Sequence, residues 1–137
     1  MSIPRYLVDT NVLLRFLSGE PAAQAAAAKK LFVRAANGEV VLDVAPMIAA
    51  ETFYTLHSFY GVERKIAAEK LSQLLQQHGV KLRDASAVLS ACERLQTTNV
   101  GFADAFLAAV AAGEKLPVAS FDRDFDKLGA ERYEPTA

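Results

Sequence analysis

A single cysteine, Cys92, excludes an internal disulfide and any cysteine-rich zinc site. It lies in the helical pattern Leu89-Ser90-Ala91-Cys92-Glu93 and reads as a small core residue. Histidine is almost as scarce. His57 and His78 are too far apart for a paired-ligand motif, and a two-histidine ribonuclease mechanism has nothing to stand on. His57, among Leu56, Ser58 and Phe59, reads as a satisfied, partly buried histidine, and His78, before Gly79, as a helix C-cap residue. There is no Gly-x-x-x-x-Gly-Lys loop and no Gly-x-Gly-x-x-Gly fingerprint, which removes the common backbone cradles for nucleotide phosphates. Ser120 has no histidine partner for a nucleophilic triad and is expected instead to orient an acid by hydrogen bonding. No apolar run approaches the ~18 residues that a membrane span needs. The start, Met1-Ser2-Ile3-Pro4-Arg5, has no long apolar segment of the signal-peptide kind, so a reducing, cytoplasmic location is expected.

What is present describes a folded globular chain. With 137 residues, 52% hydrophobic and 23% charged, one domain spanning residues 1–137 with one substantial core is expected. The formal net charge is −1, so there is no overall basic signature for nucleic acid. That balance conceals something if some of the acids hold metal. Setting four aside leaves twelve acids against fifteen basic residues, a surface that permits a polyanionic substrate without demanding one.

Four acids stand in otherwise apolar surroundings. Asp9 lies in Tyr6-Leu7-Val8-Asp9-Thr10-Asn11-Val12-Leu13-Leu14 and Glu51 follows Met47-Ile48-Ala49-Ala50. Asp104 is set in Phe102-Ala103-Asp104-Ala105-Phe106-Leu107, and Asp122 follows Pro117-Val118-Ala119-Ser120-Phe121. A carboxylate on a core-forming segment is paired, protonated or metal-bound, because burying it bare is costly. Two like charges ~4 Å apart repel by roughly 4 kcal/mol at an effective dielectric of 20, so four acids brought together need cations between them.

The pattern along the chain alternates strand and helix. Residues 5–9 read as a short buried strand, with Thr10 or Asn11 capping a helix through Leu17 that stops near Gly19. Pro21 opens a helix over Ala22–Ala36, closed by Asn37-Gly38. Val40–Val44 reads as a strand, Pro46 starts a helix to about Tyr60, and residues 63–77 form an amphipathic helix. Val80–Leu82 is a third strand, Asp84 caps a helix through Leu95, and residues 102–114 form another helix. Pro117–Ser120 is a fourth strand, Asp124–Leu128 a helical turn, and the tail near Arg132-Tyr133 a fifth strand. This order implies an α/β fold, a three-layer α/β/α sandwich with a mainly parallel central sheet of four to five strands.

In such sheets, sites form beyond the carboxyl ends of the strands. Asp9 and Asp122 follow strands there, Asp104 is near a helix start, and Glu51 is long enough to reach inward. Each also has a plainer role: Asp9 as a helix cap, Glu51 on a solvated stripe, Asp104 favouring a helix dipole, Asp122 as a turn residue. Asp124 and Asp126 lie nearby, each a reserve ligand or a cap. Carboxylates are hard oxygen ligands, so Mg²⁺ or Mn²⁺ is the metal expected. That chemistry suits phosphodiester hydrolysis.

Taken together, these pieces resemble the PIN domain, and within it the VapC-like toxin ribonucleases of toxin–antitoxin pairs. The resemblance rests on Val8-Asp9-Thr10-Asn11, on Pro46 followed five residues later by Glu51, on Phe102-Ala103-Asp104-Ala105, and on Ser120-Phe121-Asp122-Arg123-Asp124-Phe125 before Leu128-Gly129. It implies a metal-dependent endoribonuclease in which Asp9, Glu51, Asp104 and Asp122 hold Mg²⁺ or Mn²⁺, supported by Thr10, Asn11 and Ser120. It also implies a homodimer and a small antitoxin that plugs the site, for which Phe53, Tyr54, Leu56, Phe59 and Tyr60 offer surface where they are not core. Many proteins it resembles carry another acid where this chain has Gly101; Asp124 is the candidate to compensate. Arg15 and Arg123 are candidates to grip substrate phosphates, against the plainer reading of solvated surface charges. The rival readings are a DNA-directed or structure-specific nuclease on the same scaffold, or a catalytically weak PIN module that binds RNA or a partner.

Overall fold

The computed structural model describes residues 2–137; Met1, part of the amino-terminal stretch read above, lies outside the described residues. The chain enters through strand β1 (Arg5–Leu7), then helices α1 (Thr10–Ser18) and α2 (Ala22–Ala36). Strand β2 (Val41–Val44) leads to α3 (Pro46–Ser58) and α4 (Arg64–Leu75). Strand β3 (Val80–Leu82) leads to α5 (Ala85–Thr97) and α6 (Phe102–Glu114). Strand β4 (Val118–Ala119), the short helix α7 (Asp124–Lys127) and strand β5 (Arg132–Tyr133) complete it.

Local chemistry accounts for these boundaries. Gly19 ends α1 in the left-handed conformation (φ 76°), its N–H returning to the Arg15 carbonyl, a geometry that glycine adopts without a Cβ penalty. Alanine propensity carries α2. Pro46 occupies the start of α3, where its missing N–H costs nothing. Gly79 meets a stricter demand: at φ 88° a Cβ there would lie 2.3 Å from the Ala35 carbonyl oxygen, so the entry to β3 packs directly on the end of α2.

All the strand pairing is parallel, in an α/β architecture. The five strands expected are present but do not form one sheet: β1-β2-β3 is a three-stranded sheet, and β4-β5 a separate pair. Strand β4 is two residues long and follows Pro117, which has no N–H to give a neighbour. Its own pairing is taken by the tail, with the Val118 and Ser120 amides donating to the Glu131 and Tyr133 carbonyls. Strand β1 is therefore an edge, and all three of its residues are exposed, Leu7 at 75%. The expectation of a buried strand over 5–9 is corrected there; only Val8, beyond the strand, turns inward.

The core lies on the other face, around Leu42 and Val44 of β2, Leu13 of α1, Leu56 of α3, Leu71 and Leu74 of α4, and Val88 and Leu95 of α5. Cys92 belongs to it, and burial pushes its thiol up to about 12, as expected for an inert structural cysteine. Helix α5 packs against both α4 and α6, and α3 touches α1, α4 and α6. That last set of contacts positions the site. Among the described residues, no helix is long and apolar enough to cross a membrane.

Candidate active site

Asp9 is the N-cap of α1. Its backbone is extended (φ −83°, ψ 154°) and its carboxylate accepts a hydrogen bond from the Thr10 amide at 2.8 Å. Thr10 and Asn11, expected as caps, lie inside the first turn instead; aspartate is at least as good an N-cap as threonine, so the helix begins one residue earlier. The Thr10 hydroxyl is buried without a hydrogen-bond partner. Asn11 and Arg15 face a different hollow, of about 300 Å³, between α1 and α2. Arg15 is engaged there, donating from Nε to Gln24 at 2.8 Å and from Nη1 to the Tyr60 hydroxyl at 3.3 Å, so it is not a free phosphate grip.

Glu51 is exposed on α3. Its neighbours Ala49, Thr52, Phe53 and Leu56 take the buried side and leave Glu51 on the solvated stripe, since an apolar stretch in a helix still has an outer side. Glu51 lines a groove of about 520 Å³ together with Gly101, Phe102 and Ala103, the residues that lead into α6 and to Asp104. Among the aromatic and apolar residues considered for partner contacts, Phe53 and Leu56 are core, Tyr60 packs partly against it, and Tyr54 (68%) and Phe59 (80%) are exposed.

Asp104 is half-buried in the first turn of α6. Burial pushes its carboxyl above the usual range, and the negative charges of Asp122 and Asp124 push it further. A helix N-terminus favours an anion, yet the net direction is upward. Asp122 is exposed in the turn after β4. Its amide donates to the Ser120 hydroxyl at 2.9 Å, and its carboxylate accepts from the Asp124 amide at 2.8 Å, an Asx turn that starts α7. Ser120 thus holds the backbone of the Asp122 turn and not a carboxylate. Asp124 has a loose ion pair with Lys127 at 3.4 Å, Asp126 one with Arg132 at 3.3 Å, and Arg123 is exposed at the start of α7.

The structure therefore brings the charges of Asp122 and Asp124 to bear on half-buried Asp104 and sets Glu51 beside the start of α6, with Asp9 at the head of a helix that packs on α3. Among the described residues, no three histidine, cysteine or carboxylate side chains form a ready metal cage. The donors nevertheless fit a hard divalent cation in kind: oxygen ligands only, like charges without full neutralisation, and an unpartnered buried hydroxyl at Thr10 beside Asp9.

The repulsion has a measurable consequence. Asp122→Asn keeps the Asx turn and removes one charge facing Asp104. Because the folded-state value of Asp104 is raised, its ionised form costs stability above that value, and the cost vanishes as pH falls below the unfolded value. The variant should therefore be more stable at neutral pH by a few tenths of a kcal/mol, about 1 °C in Tm, with the gain closing on acidification. A thermal melt series against pH reads this directly; a loss of stability at neutral pH would contradict it.

Two features were missed in the sequence. Asp43 is the deeply buried acid, 1% exposed in the middle strand of the three-stranded sheet, held by Arg5 from β1 and by Arg83 just past β3. Burial would raise its carboxyl, but the hydrogen bonds and charges of the two guanidinium groups outweigh this and hold it below the usual range. Its signal was there, an acid inside Val40–Val44, the same pattern that drew attention to the other four. Arg64 is the second. It donates to the Thr98 and Val100 carbonyls and lies over the Phe53 ring, 5.5 Å from its centroid, and nothing in the sequence marks that contact.

A profile of the PIN domain matches residues 6–131. Neither the curated proteins nor the solved structures compared with the chain gave a match. PIN domains are in general nucleases, usually hydrolases that act on nucleic acid with divalent metals. The profile runs from within β1 to the residue before β5 and includes Asp9, Glu51, Asp104 and Asp122, and on that match the chain belongs to the PIN domain family.

Proposed function

We propose that this protein is a metal-dependent endoribonuclease of the VapC-like kind, a toxin that a cognate antitoxin protein restrains, acting as a homodimer in the cytoplasm, with residues 1–137 as one domain. The observation that carries the reading is the nuclease-family match over residues 6–131, with the Asp122 turn set against half-buried Asp104 beside the α3–α6 groove. Acids kept in repulsion without compensating arginines suit a cation site better than a structural role.

In this reading Asp9, Glu51, Asp104 and Asp122 hold Mg²⁺ or Mn²⁺, with Asp124 as a further donor. Bound there, the ion lowers the pKa of the attacking water and offsets charge on the leaving oxygen. Asp9 contributes an exposed carboxylate fixed by its own helix cap, and Thr10 supports it through the backbone amide that the carboxylate caps. Ser120 fixes the turn that presents Asp122. Position 101 has open space where a Cβ would go, so the absence of an acid there reflects the residue and not crowding. Arg123, exposed beside Asp122, is the better of the two phosphate candidates, since Arg15 is already bonded. Phe59 offers apolar surface for the antitoxin or a second copy.

Incubation with labelled RNA and DNA, in Mg²⁺, Mn²⁺ or EDTA, tests the reading. RNA cleavage that needs the metal is the expected result, and Asp104→Asn should lift the growth arrest caused by expressing the chain alone. Cleavage of DNA in preference to RNA would move the assignment to a DNA-directed nuclease. The separation of the acids favours one other reading, a binding module with a weakened site; wild-type protein that binds RNA and never cleaves it would establish that instead.

A further inference from the structure

We propose that the groove between α3 and the start of α6 seats one unpaired nucleobase of the substrate strand next to the acidic centre. The inference rests on the ribonuclease reading and adds to it a base-binding subsite.

The groove's volume of about 520 Å³ suits a nucleotide with its water. Glu51 stands at one side. The lining is mainly apolar and aromatic, from Phe53, Tyr54 and Phe102, with His57 and Arg64 as its polar wall. Phe53 and Phe102 meet as a tilted pair with centroids 6.5 Å apart, and His57 stacks near Phe53 at 6.4 Å. Tyr54 is 68% exposed and lines the groove, a flat ring available to a ligand. The exposed Tyr54 face accepts any base by stacking, above a floor of buried Phe53 and Phe102 whose rings are already packed against each other, His57 and Arg64.

The polar wall is rigid before any ligand arrives. Arg64 is fixed by the Thr98 and Val100 carbonyls, and His57 Nδ1 lies 2.9 Å from the Val62 carbonyl. A carbonyl only accepts, so Nδ1 carries a proton and Nε2 is the ring nitrogen left to meet a base. Beyond this wall a second hollow, about 490 Å³, shares His57 and Arg64 and continues with Lys65, Thr98 and Asn99, with Glu63 as its one acid. The order is thus acids for the scissile phosphate, aromatic surface for a base, then donors for the next sugar and phosphate. That succession matches a single nucleic-acid strand. A base paired in a duplex cannot enter such a hollow, so the target is unpaired.

The test uses the full chain, short single-stranded RNA and EDTA, so that binding is read without cleavage. Tyr54→Ala should weaken binding roughly tenfold, and Tyr54→Phe should restore it. An abasic residue stepped along the RNA should weaken wild-type binding at one position by a similar factor and have no further effect there on Tyr54→Ala. The same abasic profile in both proteins would overturn the proposal. So would Tyr54→Ala that binds RNA normally but changes oligomeric mass, which would make the groove a protein contact. The two readings fail separately: a surviving abasic profile without cleavage refutes only the nuclease, and cleavage without the profile refutes only the base seat.

Discussion

Asp9→Asn is expected to reduce RNA cleavage by at least roughly tenfold and to leave the fold intact. The lower bound follows from metal sites in general, where groups that only orient a ligand already cost about 10–100-fold when replaced, so a ligand itself costs no less. The choice of asparagine is dictated by the N-cap. Asp9 accepts the Thr10 amide at 2.8 Å, and asparagine caps a helix about as well as aspartate, so the variant removes charge and keeps the hydrogen bond. Alanine at the same position would confound the two, because loss of an N-cap alone costs about 1 kcal/mol. Cleavage rates and urea melts on the same samples separate the effects. An Asp9→Asn variant that cleaves at the wild-type rate removes Asp9 from the site, and one that unfolds says that its charge serves stability.

The element order was readable because its signals are local. Alanine propensity and Asn37-Gly38 place α2 over Ala22–Ala36, and Phe102–Glu114 follows from its own composition. The same local signals place β1 to β5 but not their partners. Whether the Val118 strand joins the Arg5 strand or the tail depends on contacts between distant segments, and the tail takes it. The acids show the same divide. Asp9, Glu51, Asp104 and Asp122 were picked out by apolar neighbours along the chain, yet three of them are exposed, because sequence neighbours on a helix or turn face different directions. Asp43 has the neighbours and the burial, but its partners are 38 and 40 residues away, and no periodicity announces them. What raises Asp104 is likewise not its own segment alone but the Asp122 turn folded against it.

Replacing both arginines around Asp43 should destabilise the fold strongly. Asp43 Oδ2 accepts from Arg5 Nε at 2.9 Å and Oδ1 from Arg83 Nε at 3.0 Å, so one carboxylate ties together the ends of the three-stranded sheet. The arginines are about half exposed and recover water if the acid is removed; the carboxylate, 1% exposed, recovers none if they are. Arg5→Met with Arg83→Met leaves it bare, and breaking a buried pair in that direction costs about 3–5 kcal/mol, a large part of the roughly 5–15 kcal/mol that holds a domain together. The acid dependence should also change sign. In the wild type the lowered Asp43 value contributes stability in full above the unfolded value of about 3.9, lost as pH falls through the folded value. In the double variant burial alone acts and raises the value, so stability should increase as pH falls from neutral through it. Adding Asp43→Leu to the double variant removes the stranded charge and should recover most of the loss, since apolar replacement of a whole buried ion cluster is often neutral. Urea melts across pH on the three proteins decide it: a double variant that loses less than about 1 kcal/mol and keeps the wild-type acid slope would mean that water, and not the two guanidinium groups, satisfies Asp43.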